Sequence, residues 1–243
     1  MAVAPIELST IAAGTGGFVL NGQSASDLSG TSVSSAGDVN GDGFADLIVG
    51  ARYADPAGGI TAGKSYVVFG KSLGFGASVD LSAIAAGTGG FVLNGQSVDD
   101  RSGFSVSATG DVNGDGFADL IVGAKYADPA GGNNAGKSYV VFGKSLGFGP
   151  SVDLSAIAAG TGGFALNGQS AGDEFGFSVS SAGDVNGDGF ADLIVGAQYA
   201  DPAGGSNAGK SYVVCQSALN SFQVTAPKSF QLVSPISFVF CAA

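Results

Sequence analysis

Asp38, Asn40, Asp42 and Asp46 stand at positions one, three, five and nine of the stretch Asp-Val-Asn-Gly-Asp-Gly-Phe-Ala-Asp, with Gly41 and Gly43 between them. The same nine residues return unchanged at 111–119 and 184–192. They place Asp111, Asn113, Asp115 and Asp119, then Asp184, Asn186, Asp188 and Asp192, in the same pattern. Alternate oxygen-bearing side chains converge where glycine lets the backbone turn tightly, which is how a chain wraps a hard cation. Every donor is oxygen and the chain has no His, so the chemistry selects Ca²⁺. An Asn-Gly-Asp turn can join two strands without metal. Three carboxylates within nine residues would repel one another there, and a bound cation removes that repulsion.

The helical calcium loop is excluded, because it needs a Glu at position twelve, where this chain has Val49, Val122 and Val195. Nine of the 20 acidic residues lie in the three loops, so three Ca²⁺ ions would bring the net charge from −11 to −5. The acidity is thus mostly a metal-binding property. Nucleic acid is excluded as a partner, since phosphate contacts need basic patches. No enzymatic site is expected. Gly168-Gln169-Ser170-Ala171-Gly172 matches a nucleophile turn but has no His to serve as base, and the equivalent stretches from Gly22 and Gly95 break it. Asp27-Leu28-Ser29-Gly30-Thr31 suggests an adhesion-type metal motif that the stretches from Asp100 and Asp173 do not keep.

The loops recur with a period of 73 residues, and the same offset aligns Gly17–Gln23 with Gly90–Gln96 and Gly163–Gln169. It also aligns Ala62–Val68 with Ala135–Val141 and Ala208–Val214. Such repeats are supersecondary units that bury their apolar faces on one another. With 43 Gly, 45% hydrophobic and 12% charged residues, the many short apolar runs between turn residues read as all-β. In the first unit, strands are expected at Ser32–Gly37, Ala45–Gly50, Lys64–Phe69 and Phe91–Asn94. Val79–Ile84 lies before the last of these, and Ser82–Gly87 allows at most one helical turn. Four antiparallel strands per unit describe a β-propeller blade, with the metal loop between the first and second. A parallel β-helix would need a period near nine residues.

The stretch Phe175-Gly176-Phe177-Ser178-Val179, followed by Asp184–Asp192 and Leu193-Ile194-Val195-Gly196-Ala197, resembles the FG-GAP repeats of integrin α-subunit propellers and of many bacterial surface or secreted proteins. The first two units depart from that pattern with Ser29-Gly30 and Ser102-Gly103 in place of Phe-Gly. Arg52, Lys125 and Gln198 stand where the family has proline. The resemblance implies three structural calcium sites, with a backbone oxygen of Phe44, Phe117 and Phe190 joining the four side chains of each loop. It also implies that the Tyr53–Gly59 and Gln23–Gly30 loops and their equivalents, on the opposite face, recognise a protein or glycan in an adhesion role.

The expected division is an N-terminal strand at 1–29 that completes a blade, blades at 30–102 and 103–175, a partial third blade at 176–214 and a divergent tail at 215–243. Closed propellers have four to eight blades, so three make an open or incomplete one, and self-association would complete it. The tail leaves the repeat abruptly at Cys215, as a frameshift or truncated gene would. Its 222–240 segment is β-prone enough to supply a fourth strand. Cys215 and Cys241 could pair in an oxidising compartment. No signal peptide is visible and no apolar run is long enough to span a membrane, while the resemblance implies an extracellular or cell-surface place. The competing functional class is a non-catalytic propeller appendage of a larger secreted hydrolase.

Overall fold

The computed structural model describes residues 5–56, 59–145, 147–203 and 205–215. Each Leu-Ile-Val-Gly-Ala run forms the second strand of its blade; it is buried throughout in the second blade, nearly so in the first, and left partly exposed at Ile194 in the third. The chain opens with a short helix α1 (Leu8–Ala12) and strand β1 (Val19–Asn21). The first blade then lays down β2 (Ser32–Gly37), β3 (Asp46–Ala51), β4 (Lys64–Val68), β5 (Ser78–Asp80), helix α2 (Leu81–Ala85) and β6 (Gly90–Asn94). The second repeats this as β7 (Ser105–Gly110), β8 (Asp119–Ala124), β9 (Lys137–Val141), β10 (Ser151–Asp153), α3 (Leu154–Ala158) and β11 (Gly163–Asn167). The third has β12 (Phe175–Gly183), β13 (Asp192–Ala197) and β14 (Lys210–Val214).

Within a blade the strands form an antiparallel meander, β2-β3-β4-β6 in the first and β7-β8-β9-β11 in the second. Strand bounds match the expected ones to within a residue. The exception is Val79–Ile84, which divides into the end of β5 and most of α2. The turn itself is local, since α1 with an equivalent sequence forms it and buries nothing, while in α2 Leu81 and Ile84 are both buried. Parallel pairing of β1 with β5, and of β6 with β10, ties each unit to the one before it. The 222–240 segment and Cys241 lie outside the described residues.

The core lies between blades. One cluster joins Val39, Ile48, Val67 and Phe91 of the first blade to Leu120, Val122, Tyr139 and Ile157 of the second. A second joins Val112, Ile121 and Val140 to Leu193 and Val195. The result is an all-β, open propeller-like array whose sheets do not close into a ring.

Candidate metal loops and the opposite loop face

Each candidate loop sits at the tight reversal from the first to the second strand of its blade, where Gly37 pairs with Asp46 across the sheet. Gly41 and Gly43 hold φ of +76° and +86°, a region that β-carbons disfavour, so the spacing of the oxygens depends on these glycines. The Asp38 carboxylate accepts the backbone N–H groups of Gly41 (2.7 Å), Asp42 (3.1 Å) and Gly43 (2.9 Å). Asn40 accepts from the Asp42 N–H at 2.9 Å and donates its amide to the Asp42 carboxylate at 3.0 Å. Asp42 also accepts the N–H of Phe44 at 2.9 Å. Asp111, Asn113, Asp115 and Phe117, and Asp184, Asn186, Asp188 and Phe190, repeat these contacts.

The first, third and fifth positions are therefore gathered at the surface, all of them hard oxygen donors. Among the described residues, no three His, Cys, Asp or Glu side chains converge as a cluster poised around an ion. The loop oxygens are instead held by the loop's own amides. These N–H groups mark where negative charge collects. They hold the Asp184 carboxyl below its ordinary value: the Gly189 amide lowers it most, desolvation opposes it next, and Gly187, Asp188 and Asn186 add to the lowering. The oxygen set and the glycine turns suit a hard cation such as Ca²⁺. When bound, such an ion neutralises the carboxylates.

The ninth position behaves differently. Asp46, Asp119 and Asp192 are fully buried. Asp46 accepts Val39 N–H at 3.0 Å on one oxygen and Gly70 N–H at 2.8 Å on the other. Asp119 does the same with Val112 (2.9 Å) and Gly143 (2.8 Å). Burial pushes the Asp119 carboxyl up to about 7, with Asp115 and Asp111 adding to the rise and the two amides opposing it. This carboxylate ties the loop to the chain leaving the third strand.

Successive loops are laced together. Ala118 N–H donates to the Asp38 carbonyl at 3.1 Å, and Ala191 N–H to the Asp111 carbonyl at 3.1 Å. The Phe117 ring lies where a Cβ on Gly41 would be, and Phe190 lies likewise against Gly114. Phe117 and Phe190 thus act through their rings as well as their backbone.

The strand register puts the other expected loops at the far end of the sheets, since Ala51 pairs with Lys64 while Leu47 pairs with Val68 beside the metal loop. There the structure shows an ordering device that the sequence pattern alone did not reveal. Arg52 lies over Tyr53 and Phe104, Arg101 over Tyr53 and Tyr126, and Lys125 over Phe104, Tyr126 and Phe177. Lys125 is buried and pairs with Glu174 at 2.6 Å, and Gln198 donates to the same carboxylate at 2.8 Å. These cations and rings form an alternating ladder that crosses all three blades. The available signal was the presence of Arg52, Lys125 and Gln198 at positions related by the 73-residue offset.

The FG-GAP repeat model matches residues 29–68, 102–141 and 175–214, the first three strands of each blade. Among similar proteins, phosphatidylinositol-glycan-specific phospholipase D of Bos taurus is 34% identical over 71% of this chain and 19% of its own length. Integrin alpha-7 of Rattus norvegicus is 35% identical over 65% of this chain and 12% of its own. Integrin alpha-PS2 of Drosophila melanogaster is 31% identical over 76% and 12% respectively. The chain thus spans less than a fifth of the length of each of these relatives. No described helix is long and apolar enough to cross a membrane. With one repeat in each of its three blades, the chain belongs to the FG-GAP repeat family.

Proposed function

We propose that this chain is an extracellular calcium-stabilised recognition module without a catalytic role of its own. Asp38, Asn40, Asp42 and Asp46, with the Phe44 backbone oxygen, hold one Ca²⁺. Asp111, Asn113, Asp115, Phe117 and Asp119 hold a second, and Asp184, Asn186, Asp188, Phe190 and Asp192 a third. The observation that carries this reading is the threefold gathering of hard oxygens around paired positive-φ glycines at one end of the blades. The ions are structural: they offset carboxylate repulsion in loops that are laced to one another. Millimolar extracellular calcium suits sites of the weaker class. The opposite loop end, ordered by the cation–aromatic ladder, is the surface offered to a protein or glycan, as integrin-like relatives suggest.

Calorimetric titration of chelator-stripped protein is expected to show three Ca²⁺ per chain, and excess chelator is expected to lower the Tm markedly. An unchanged melt would sink the calcium reading. The phospholipase relative favours a second reading, in which the same module is the non-catalytic appendage of a hydrolase. A neighbouring domain with His and a nucleophile in the parent gene would decide for it.

A further inference from the structure

Two kinds of five-residue segment alternate along the chain. Lys-Ser-Tyr-Val-Val stands at 64–68, 137–141 and 210–214. Gly-Phe-Val-Leu-Asn stands at 17–21 and 90–94, with Gly-Phe-Ala-Leu-Asn at 163–167. They pair twice within the molecule. β4 takes β6 from Lys64↔Asn94 to Val68↔Gly90, and β9 takes β11 in the same register from Lys137↔Asn167 to Val141↔Gly163. One segment of each kind is left over. β14 pairs with β13 alone and β1 with β5 alone, so among the described residues each presents one free edge.

We propose that these two edges pair between copies of the chain, with β1 of one copy adding to β14 of another as the fourth strand of its third blade. The register follows from the pairs already formed: Asn21 opposite Lys210, Leu20 opposite Ser211, Val19 opposite Tyr212 and Phe18 opposite Val213. Free edges of this kind recruit a strand through main-chain hydrogen bonds.

The faces agree with the edges. Val39, Ile48 and Val67 are buried under the second blade, while their equivalents Val185, Ile194 and Val213 are 55%, 36% and 49% exposed. At the other end of the array, Val33 is 66% exposed where its equivalent Val106 is 6%. The lacing of the loops stops at the same two ends. Gly187 has no ring over it, although Gly41 and Gly114 do, and Phe44 is exposed where Phe117 and Phe190 are covered in part. A second copy brings its Phe44 and Val33 to the third blade just as the second blade brings Phe117 and Val106 to the first. The contact therefore continues an interface that the chain already makes twice. Such pairing gives the third blade its fourth strand and covers the apolar faces left exposed at the two ends of the array. The pairing does not depend on the calcium reading, since it rests on strands and apolar faces.

The test mixes two full-length variants, Asn21→Cys and Lys210→Cys, under mild oxidation. A cross-linked species of twice the 23.5 kDa chain mass is expected from that mixture. It should be absent when Asn21→Cys is mixed with Ser211→Cys, whose side chain faces the other side of the sheet, or with the parent chain. In sedimentation, Val213→Asp should abolish association while leaving the monomer's circular dichroism unchanged, because this side chain is exposed in the single chain. A parent chain that stays monomeric at every concentration would overturn the proposal and point to its own residues beyond 215 as the occupant of the β14 edge. Equal cross-linking in the off-register mixture would overturn it too.

Discussion

Asp115 and Asp119 belong to one nine-residue loop, yet the loop uses them differently. Asp115 meets Asn113 and the Phe117 N–H at the surface, whereas Asp119 is buried and closes two backbone amides from different segments. With chelator present, Asp119→Ala is expected to destabilise the fold by about 2–5 kcal/mol, the penalty for two stranded buried donors. Asp115→Ala should lose about 1 kcal/mol or less under the same condition, because water replaces its partners. Denaturant melts of both variants, with and without Ca²⁺, check this. Similar losses in chelator would show that the ninth position does not brace the loop on its own.

Asp100, on the opposite loop face, gives a separate pH signature. Burial raises its carboxyl from 3.8 to about 6, opposed by Lys137 and the Ser97 N–H and aided by Asp128 and Asp99. A folded-state value above the unfolded one favours the protonated folded form. Its contribution is full below about pH 4 and is lost as the pH rises to about 6. Asp100→Asn keeps an acceptor for Ser97 and removes the charge. The variant should melt close to the parent near pH 4 and above it near pH 7. A difference that does not grow with pH would refute the assignment.

At the scale of elements, equal sequences have unequal energies because their neighbours differ. Phe91 in β6 is fully buried and stacks on Phe148 with centroids 3.9 Å apart and planes at 6°. Phe18 and Phe75, one repeat earlier, stack at 4.1 Å and 22°, but among the described residues β1 pairs with β5 alone. Phe91→Ala is expected to destabilise by about 3–5 kcal/mol, as for other buried aromatic truncations. Phe18→Ala should lose less than half of that when measured at dilutions where chains are separate. Equal losses would show that the N-terminal strand is as deeply packed as its copy. The five-residue helices follow the same rule: α2 and α3 bury Leu81, Ile84, Leu154 and Ile157, whereas the equivalent α1 forms but buries nothing.

For the molecule as a whole, stability is a sum over blades and the interfaces between them. The row of loops lies along those interfaces, with Ala118 bonded to Asp38 and Ala191 to Asp111. Stripping Ca²⁺ should therefore shift one cooperative transition and not release three blades in separate steps. Two or more resolved transitions in chelator would show that the loops act blade by blade.

The 73-residue repeat, the strand bounds and the oxygen pattern were legible in the sequence because they depend on local matters: apolar periodicity, glycine turns and residue type. The placement of the Tyr53–Gly59 and Gln23–Gly30 loops opposite the Asp-rich loops was implied by the family resemblance, and the strand register puts them at the far end of the sheets. Three features depended on packing. The ninth Asp reads like the other three in the sequence, and only burial beside Gly70 or Gly143 separates it from them. The ladder from Arg52 through Lys125 to Glu174 joins residues of adjacent blades, and no spacing along one chain announces which side of a blade its neighbour will cover. The last is which strands carry the open ends: an incomplete propeller was expected from the count of blades, but the free edges of β1 and β14 among the described residues follow from the strand order. The nine-residue loop therefore holds two kinds of carboxylate. Sequence determined which oxygens could meet a cation, through residue type and glycine spacing. Tertiary structure decided which carboxylate is already committed to the scaffold, because burial and the amides of distant segments set that role.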